Sequence, residues 1–221
     1  MIKTREPSPP RQEGDATMTL LVADPDLRRR LLAERRASGG DRSDEVWNGV
    51  YVMSPLADDE HQRIVSRLTA ILETVVGMPG LGEVRASSNI SDRVKGWKQN
   101  YRCPDLAVRL EGGRARIRKR HWYGGPDFAV EVISPGDRTR QKFDFYAQVG
   151  TRELLLIDRD PWSLELYRLA GDRFVPMGVS RPGAPIELRS GVVPLTFRLI
   201  EAEGRPRIEV VHVPAGTRWV F

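Results

Sequence analysis

A chain of 221 residues with 40% apolar side chains can bury a real core, in one domain with extra segments or in two small ones. Its 35 basic and 30 acidic residues leave a net charge of +5, a modest excess that permits a polyanionic partner without demanding one. The lone cysteine, Cys103, excludes an internal disulfide and a multi-cysteine zinc site, and no apolar run approaches the roughly 18 residues of a membrane-spanning helix.

Residues 1–17 are rich in proline, glycine and charge and are expected to form a disordered leader. The apolar stretch 17–23 is too short for a signal-peptide core, so a reducing, cytoplasmic setting is expected. Asp24-Pro25-Asp26 opens a helix that runs to about Ala37, with Leu27, Leu31 and Leu32 as its apolar stripe. Its arginines read as a solvated face or as phosphate contacts. Asn48-Gly49, between Val46-Trp47 and Val50-Tyr51-Val52, predicts a hairpin over 44–53. Ile64, Leu68, Ile71, Leu72 and Val75 fall at helical spacing and predict a helix over 58–76. A strand is expected over 83–90, a loop over 91–100 and a second strand over 105–110. Further strands over 164–169 and 174–177 read as an antiparallel extension, and 208–213 as a last edge strand within a C-terminal segment, 201–221.

The stretch 126–158 reads as strand, turn, helix, turn, strand. Phe128 to Ile133 is apolar on both faces, the pattern of a central strand covered above and below. Glu131 interrupts it, and a buried carboxylate requires a partner, a proton or a metal. If the strands at 105–110 and 127–134 pair, Asp105 and Glu131 point into one site. With the backbone carbonyl of Val132 they supply hard oxygen ligands suited to Mg²⁺ or Mn²⁺. Lys142, in the first turns of the following helix, can reach the same point, hold the attacking water and offset charge on a phosphate. Tyr146, one turn on, is expected to pack in the core with its hydroxyl facing the site. Ser134 has no histidine nearby in sequence, so a serine nucleophile has no support there.

Pro104-Asp105, then E-V-I-S-P from Glu131, Q-K-F-D-F-Y-A-x-x-G from Gln141, and E-L-L-L-I-D from Glu153, resemble the Uma-two family of restriction endonucleases, within the PD-(D/E)XK nuclease superfamily. The hairpin and the S-P-x-x-x-x-E-H segment at Ser54 to His61 match as well, so the resemblance spans roughly residues 44–170. It implies an α/β, mixed-sheet, restriction-endonuclease-like core with flanking helices over 18–200. It implies metal-ligand roles for Asp105 and Glu131 and a catalytic role for Lys142, with Glu60 or His61 as an accessory metal or water contact. The superfamily pattern places lysine two positions after the glutamate, where this chain has Ile133; the family is similar in drawing its lysine from the next helix.

Arg114, Arg116, Arg118, Lys119 and Arg120 form a basic run between the two site strands. It can track a nucleic-acid backbone, with Trp122 and Tyr123 able to stack on bases, or it is a solvated hairpin tip. The partner expected is nucleic acid, DNA in the first place, with no membrane; a homodimer is compatible with this class. Two other functions stay open: a binding protein on the same fold that has lost turnover, and a glycosidase using Asp105 and Glu131 as its acid and base. The lysine and the basic surface suit phosphate better than sugar.

Overall fold

The structure, a computed structural model, describes residues 20–22, 24–136 and 138–221. Its centre is a six-stranded mixed sheet with the strand order 173–180, 162–170, 153–159, 128–132, 106–110, 82–86. Strands Phe128–Val132 and Glu153–Arg159 run parallel, and every other pairing in this sheet is antiparallel. The parallel pair needs a crossover, which is the 3₁₀ turn Thr139–Lys142 followed by helix α3, Phe143–Gln148. In labels used below, α1 is Pro25–Ser38 and α2 is Asp59–Leu72.

All five residues of Phe128–Val132 are buried, as a strand covered on both faces requires. Phe128, Val130 and Val132 join Ile64, Leu68 and Leu72 of α2, together with Phe197, Leu199 and Val210, in the larger core. Ala129 faces the other way, into a cluster with Phe145, Tyr146, Leu154 and Leu156. Leu68 is fully buried in the larger core, so truncation to alanine would cost about 2–5 kcal/mol. Glu131 shares the face of Ala129, which carries the polar site at its end.

The predicted hairpin closes through Asn48 and Gly49, both at positive φ (49° and 89°), the left-handed pair that an Asn-Gly turn adopts readily. It belongs to a second, seven-stranded sheet whose order is 20–22, 50–53, 45–47, 101–102, 90–91, 122–123, 116–117. The strand expected over 83–90 divides in two. Gly82–Ala86 pairs in the central sheet, Ser87 turns at φ 51°, and Ile90–Ser91 pairs in the second sheet. The expected loop 91–100 contains a 3₁₀ turn at Trp97–Gln99. Helix α2 continues as a π turn, Glu73–Gly77.

Helix α1 is capped by Asp24, which accepts from the N–H groups of Asp26 and Leu27. Leu31 and Leu32 pack against Val46, Tyr51 and Met53, while Leu27 is exposed, so the expected stripe is narrower than predicted. Arg35 is held by Asp44 at 2.6 Å and by the carbonyl of Ser54, which makes it a brace for the hairpin.

The C-terminal segment departs from the expectation of a single edge strand. Arg207–His212 lies inside a four-stranded antiparallel sheet, with Leu195–Ile200 on one side and Thr217–Val220 on the other. The last strand is short and mostly exposed, so its sequence carries no clear alternation. The expected leader, 1–17, falls outside the described residues. No described helix is long and apolar enough to cross a membrane.

Candidate active site

The antiparallel register of the two site strands pairs Val108 with Phe128, Ala107 with Ala129 and Leu106 with Val130. One step further along that register sets Asp105 opposite Glu131. Asp105 is fixed at both oxygens: Oδ2 accepts from the Val132 N–H at 2.7 Å, and Oδ1 lies 3.0 Å from His61 Nε2. His61 comes from the first turn of α2, where Asp58 caps its N–H. The ring's other nitrogen lies 3.5 Å from Ser134 Oγ. Ser134, which has no histidine near it in sequence, gains one in space because the fold brings together residues 73 apart. That distance is the outer limit of a hydrogen bond and does not by itself activate a hydroxyl.

Glu131 accepts from Lys142 Nζ at 3.1 Å on each oxygen and from the Tyr146 hydroxyl at 2.5 Å. Lys142 is the last residue of the 3₁₀ turn, which places its side chain back over the strand it follows. That side chain is only 12% exposed, which a lysine at a helix start does not announce in sequence. The same Nζ lies 2.9 Å from Glu45 Oε1. Glu45 stands on the hairpin strand Glu45–Trp47, is 1% exposed, and accepts from the Cys103 N–H at 2.9 Å and from Trp47 Nε1 at 2.5 Å. These groups surround a cavity of about 60 Å³ lined by Glu45, His61, Asp105, Glu131, Ser134 and Lys142. That is several times the roughly 10–15 Å³ that one water requires.

Three carboxyl groups thus face one ammonium, a formal excess of negative charge in a largely buried site. Burial pushes the Glu131 carboxyl up to about 8; Lys142 pulls it down, and Asp105 and Glu45 add to the rise. Burial alone would lower the Lys142 pKa, but Glu131 and Glu45 more than offset it, and the amine is held charged above the ordinary lysine range. The two directions agree physically: with more carboxyl groups than cations, Lys142 stays an ammonium and the Glu131 carboxyl is the one pushed up. Burial likewise raises the Tyr146 phenol well above its ordinary value, so it remains a donor to Glu131.

Among the described residues, no three or more His, Cys, Asp or Glu side chains converge as a metal cluster. The oxygen set here is smaller: Asp105, Glu131 and the main-chain carbonyl of Val132. It fits Mg²⁺ or Mn²⁺ in chemistry, being hard oxygen donors beside uncompensated negative charge, with remaining positions left to water and substrate.

The Uma2 family model, described as a putative restriction endonuclease, matches residues 33–199. The chain belongs to the Uma2 family. A solved structure from Anabaena variabilis, a putative nuclease belonging to DUF820, is similar in fold with a TM-score of 0.53 and 19% identity, over 67% of this chain and 83% of that chain. No curated protein matches. The mixed α/β core expected from the Uma2 resemblance is the fold observed.

In this Uma2 chain, Asp105, Glu131, Lys142, His61 and Val132 line one cavity, and Tyr146, fully buried behind it, touches the site through its hydrogen bond to Glu131. Glu60 does not join them: its carboxylate lies 2.7 Å from Arg205 and 3.6 Å from Arg159. Adjacent helix positions point about 100° apart, so only one of Glu60 and His61 can face the cavity. Asp127 is structural, accepting from the Leu110 N–H and pairing with Arg152. Trp122 is buried in the core of the central sheet and cannot stack on a base; Tyr123 is partly exposed. Arg114, Arg116, Arg118, Lys119 and Arg120 are exposed and make no ion pair among the described residues. Glu45 was missed by sequence reasoning, since a glutamate beside a hairpin turn is ordinary. Only its burial and the proximity of Lys142 reveal it.

Proposed function

We infer that this protein hydrolyses phosphodiester bonds of nucleic acid, DNA in the first place, with a divalent cation at Asp105, Glu131 and the Val132 carbonyl. The observation that carries this reading is the meeting of Asp105, Glu131 and Lys142 at one cavity from three separate elements. Mg²⁺ or Mn²⁺, when bound, supplies charge that stabilises the attacking and leaving oxygens. The chain's own groups do the rest. The Val132 N–H and His61 hold Asp105 in place, and Tyr146 holds Glu131. The Lys142 ammonium offers a fixed positive charge where negative charge develops on the phosphate.

The basic strand at 116–117 lies four strand positions from the Glu45 strand in the second sheet. At about 4.8 Å per position that is about 19 Å, some five to six nucleotides at roughly 3.4 Å each. A backbone engaged at the cavity would need to span about that length to meet the basic edge. A chain with a single cysteine needs no oxidising compartment to fold, and a cytoplasmic location is part of this reading.

The test is incubation of the full chain with plasmid, single-stranded DNA and RNA in the presence of Mg²⁺, Mn²⁺ or EDTA. Metal-dependent cleavage of DNA is expected. Binding without cleavage under every condition would instead favour a nucleic-acid-binding protein that has lost turnover, for which the locking of Lys142 between two carboxylates is the motive.

A further inference from the structure

Glu45 lies outside the catalytic set named above, yet its one carboxylate touches two members of it or their supports. Oε1 meets the Lys142 ammonium at 2.9 Å and also accepts from the main-chain N–H of Cys103, two residues before Asp105. Oε2 accepts from the Trp47 indole at 2.5 Å. A carboxylate that is 1% exposed and holds three donors is anchored rather than mobile. Lys142 in turn divides its ammonium between Glu45 and both oxygens of Glu131.

We propose that Glu45 is the positioning residue of this site: it holds the Lys142 ammonium in place when Glu131 turns its oxygens to a cation, and it fixes the backbone leading into Asp105. The need follows from the geometry. A cation bound by Glu131 must displace Lys142 from at least part of that carboxylate. A buried ammonium with no second acceptor would resist that displacement and compete with the cation. Glu45 supplies the second acceptor and comes from the other sheet, so the hairpin is a working wall of the site. In the metal-bound state Lys142 stays within reach of the phosphate instead of withdrawing. The cation in this account rests on the reading under Proposed function; the hold of Glu45 on Lys142 does not.

The test uses the full chain with ¹⁵N-labelled lysine, of which there are five. A slowly exchanging ammonium signal is expected in the wild type, assigned to Lys142 by its loss in Lys142→Met. Glu45→Gln keeps a carbonyl for the Cys103 N–H and removes the charge. It should abolish the protected signal and weaken Mn²⁺ binding, measured by calorimetry, by about 10–100-fold, the scale of lost support behind a metal ligand. In Glu45→Gln/Lys142→Met the weakening should vanish, because no ammonium is left to compete; this non-additivity marks an effect routed through Lys142. Glu45→Asp, with a shorter stem, should broaden the signal to a lesser degree, and it decides the matter if Glu45→Gln does not fold. An unchanged Lys142 signal in either folded variant overturns the proposal, as does Mn²⁺ weakening that persists in the double variant. If the wild type binds no Mn²⁺, the metal reading fails while the ammonium signal still decides whether Glu45 holds the lysine.

Discussion

The Lys142 ammonium sits 3.1 Å from both oxygens of Glu131, a residue eleven positions earlier in the chain. The 3₁₀ turn folds the crossover back over its own strand, so the lysine reaches the site from the helix side and Ile133 is free to pack. If this charge serves the reaction, Lys142→Ala should lower metal-dependent cleavage by about 100-fold or more, the cost of one preorganised charge. Lys142→Met, which keeps the stem, should do the same. Both variants should also lose up to about 3–5 kcal/mol at neutral pH by chemical denaturation, since the buried Glu45 carboxylate loses its cation. Cleavage equal to wild type in folded Lys142→Ala would remove the lysine from the mechanism.

The oxygen set predicts the metal response. Asp105→Ala and Glu131→Ala should each weaken Mn²⁺ binding by about 100-fold or more, beyond the loss typical of supporting residues. Calorimetry at fixed pH measures this directly. Glu60→Ala, whose carboxylate faces Arg205 and Arg159, should leave the affinity unchanged. Intact binding in both Asp105→Ala and Glu131→Ala would place any metal elsewhere.

A proton held on Glu131 gives the site a pH signature. Burial pushes its carboxyl up from the ordinary 4.5 to about 8, so between these values the folded state is expected to bind the extra proton. The contribution of Glu131 to stability is therefore present below about 4.5 and lost progressively as pH rises to 8. Denaturant midpoints of wild type relative to Glu131→Gln should fall over that interval. A cation must displace the same proton, so Mn²⁺ affinity should rise with pH up to about 8 and level off, with proton release detectable by buffer-dependent binding enthalpy. A flat profile would show that Glu131 is already ionised at neutral pH.

The exposed basic run addresses nucleic-acid contact. Affinity for duplex DNA should fall linearly with the logarithm of salt concentration, and each phosphate contact removed among Arg114, Arg116, Arg118 and Arg120 should reduce the slope by about 0.9. Metal binding should be untouched, because these residues lie at the far edge of the second sheet. An unaltered slope in the fourfold variant would make the run a solvated hairpin tip.

Much of this site was legible because its signals are local. An apolar stretch on both faces with one glutamate in it marks a central strand with a buried charge, and the strand is fully buried with Glu131 at its polar end. The Asn48-Gly49 turn and the helix over 58–76 are likewise short-range preferences. Misreadings arose where pairing is non-local. The 83–90 segment alternates like one strand, but Ser87 divides it between two sheets. Trp122 looks like an exposed base-stacking ring until its strand in the second sheet packs it against the central sheet. Arg207–His212 looks like an edge until a last hairpin returns beside it.

The sequence by itself determined that Glu131 carries a charge into the core and that a crossover helix follows its strand, because backbone propensity and apolar periodicity act over a few residues. Only the tertiary structure decided that Glu45 and Lys142 are buried with it and what each charge meets. It chose His61 over Glu60 through the angular step of one helical residue, and it set Glu45, 86 positions before Glu131, against the same ammonium. A buried charge can be recognised from its apolar neighbours in the chain; its partner is fixed by sheet pairing between distant segments, and no local preference encodes that.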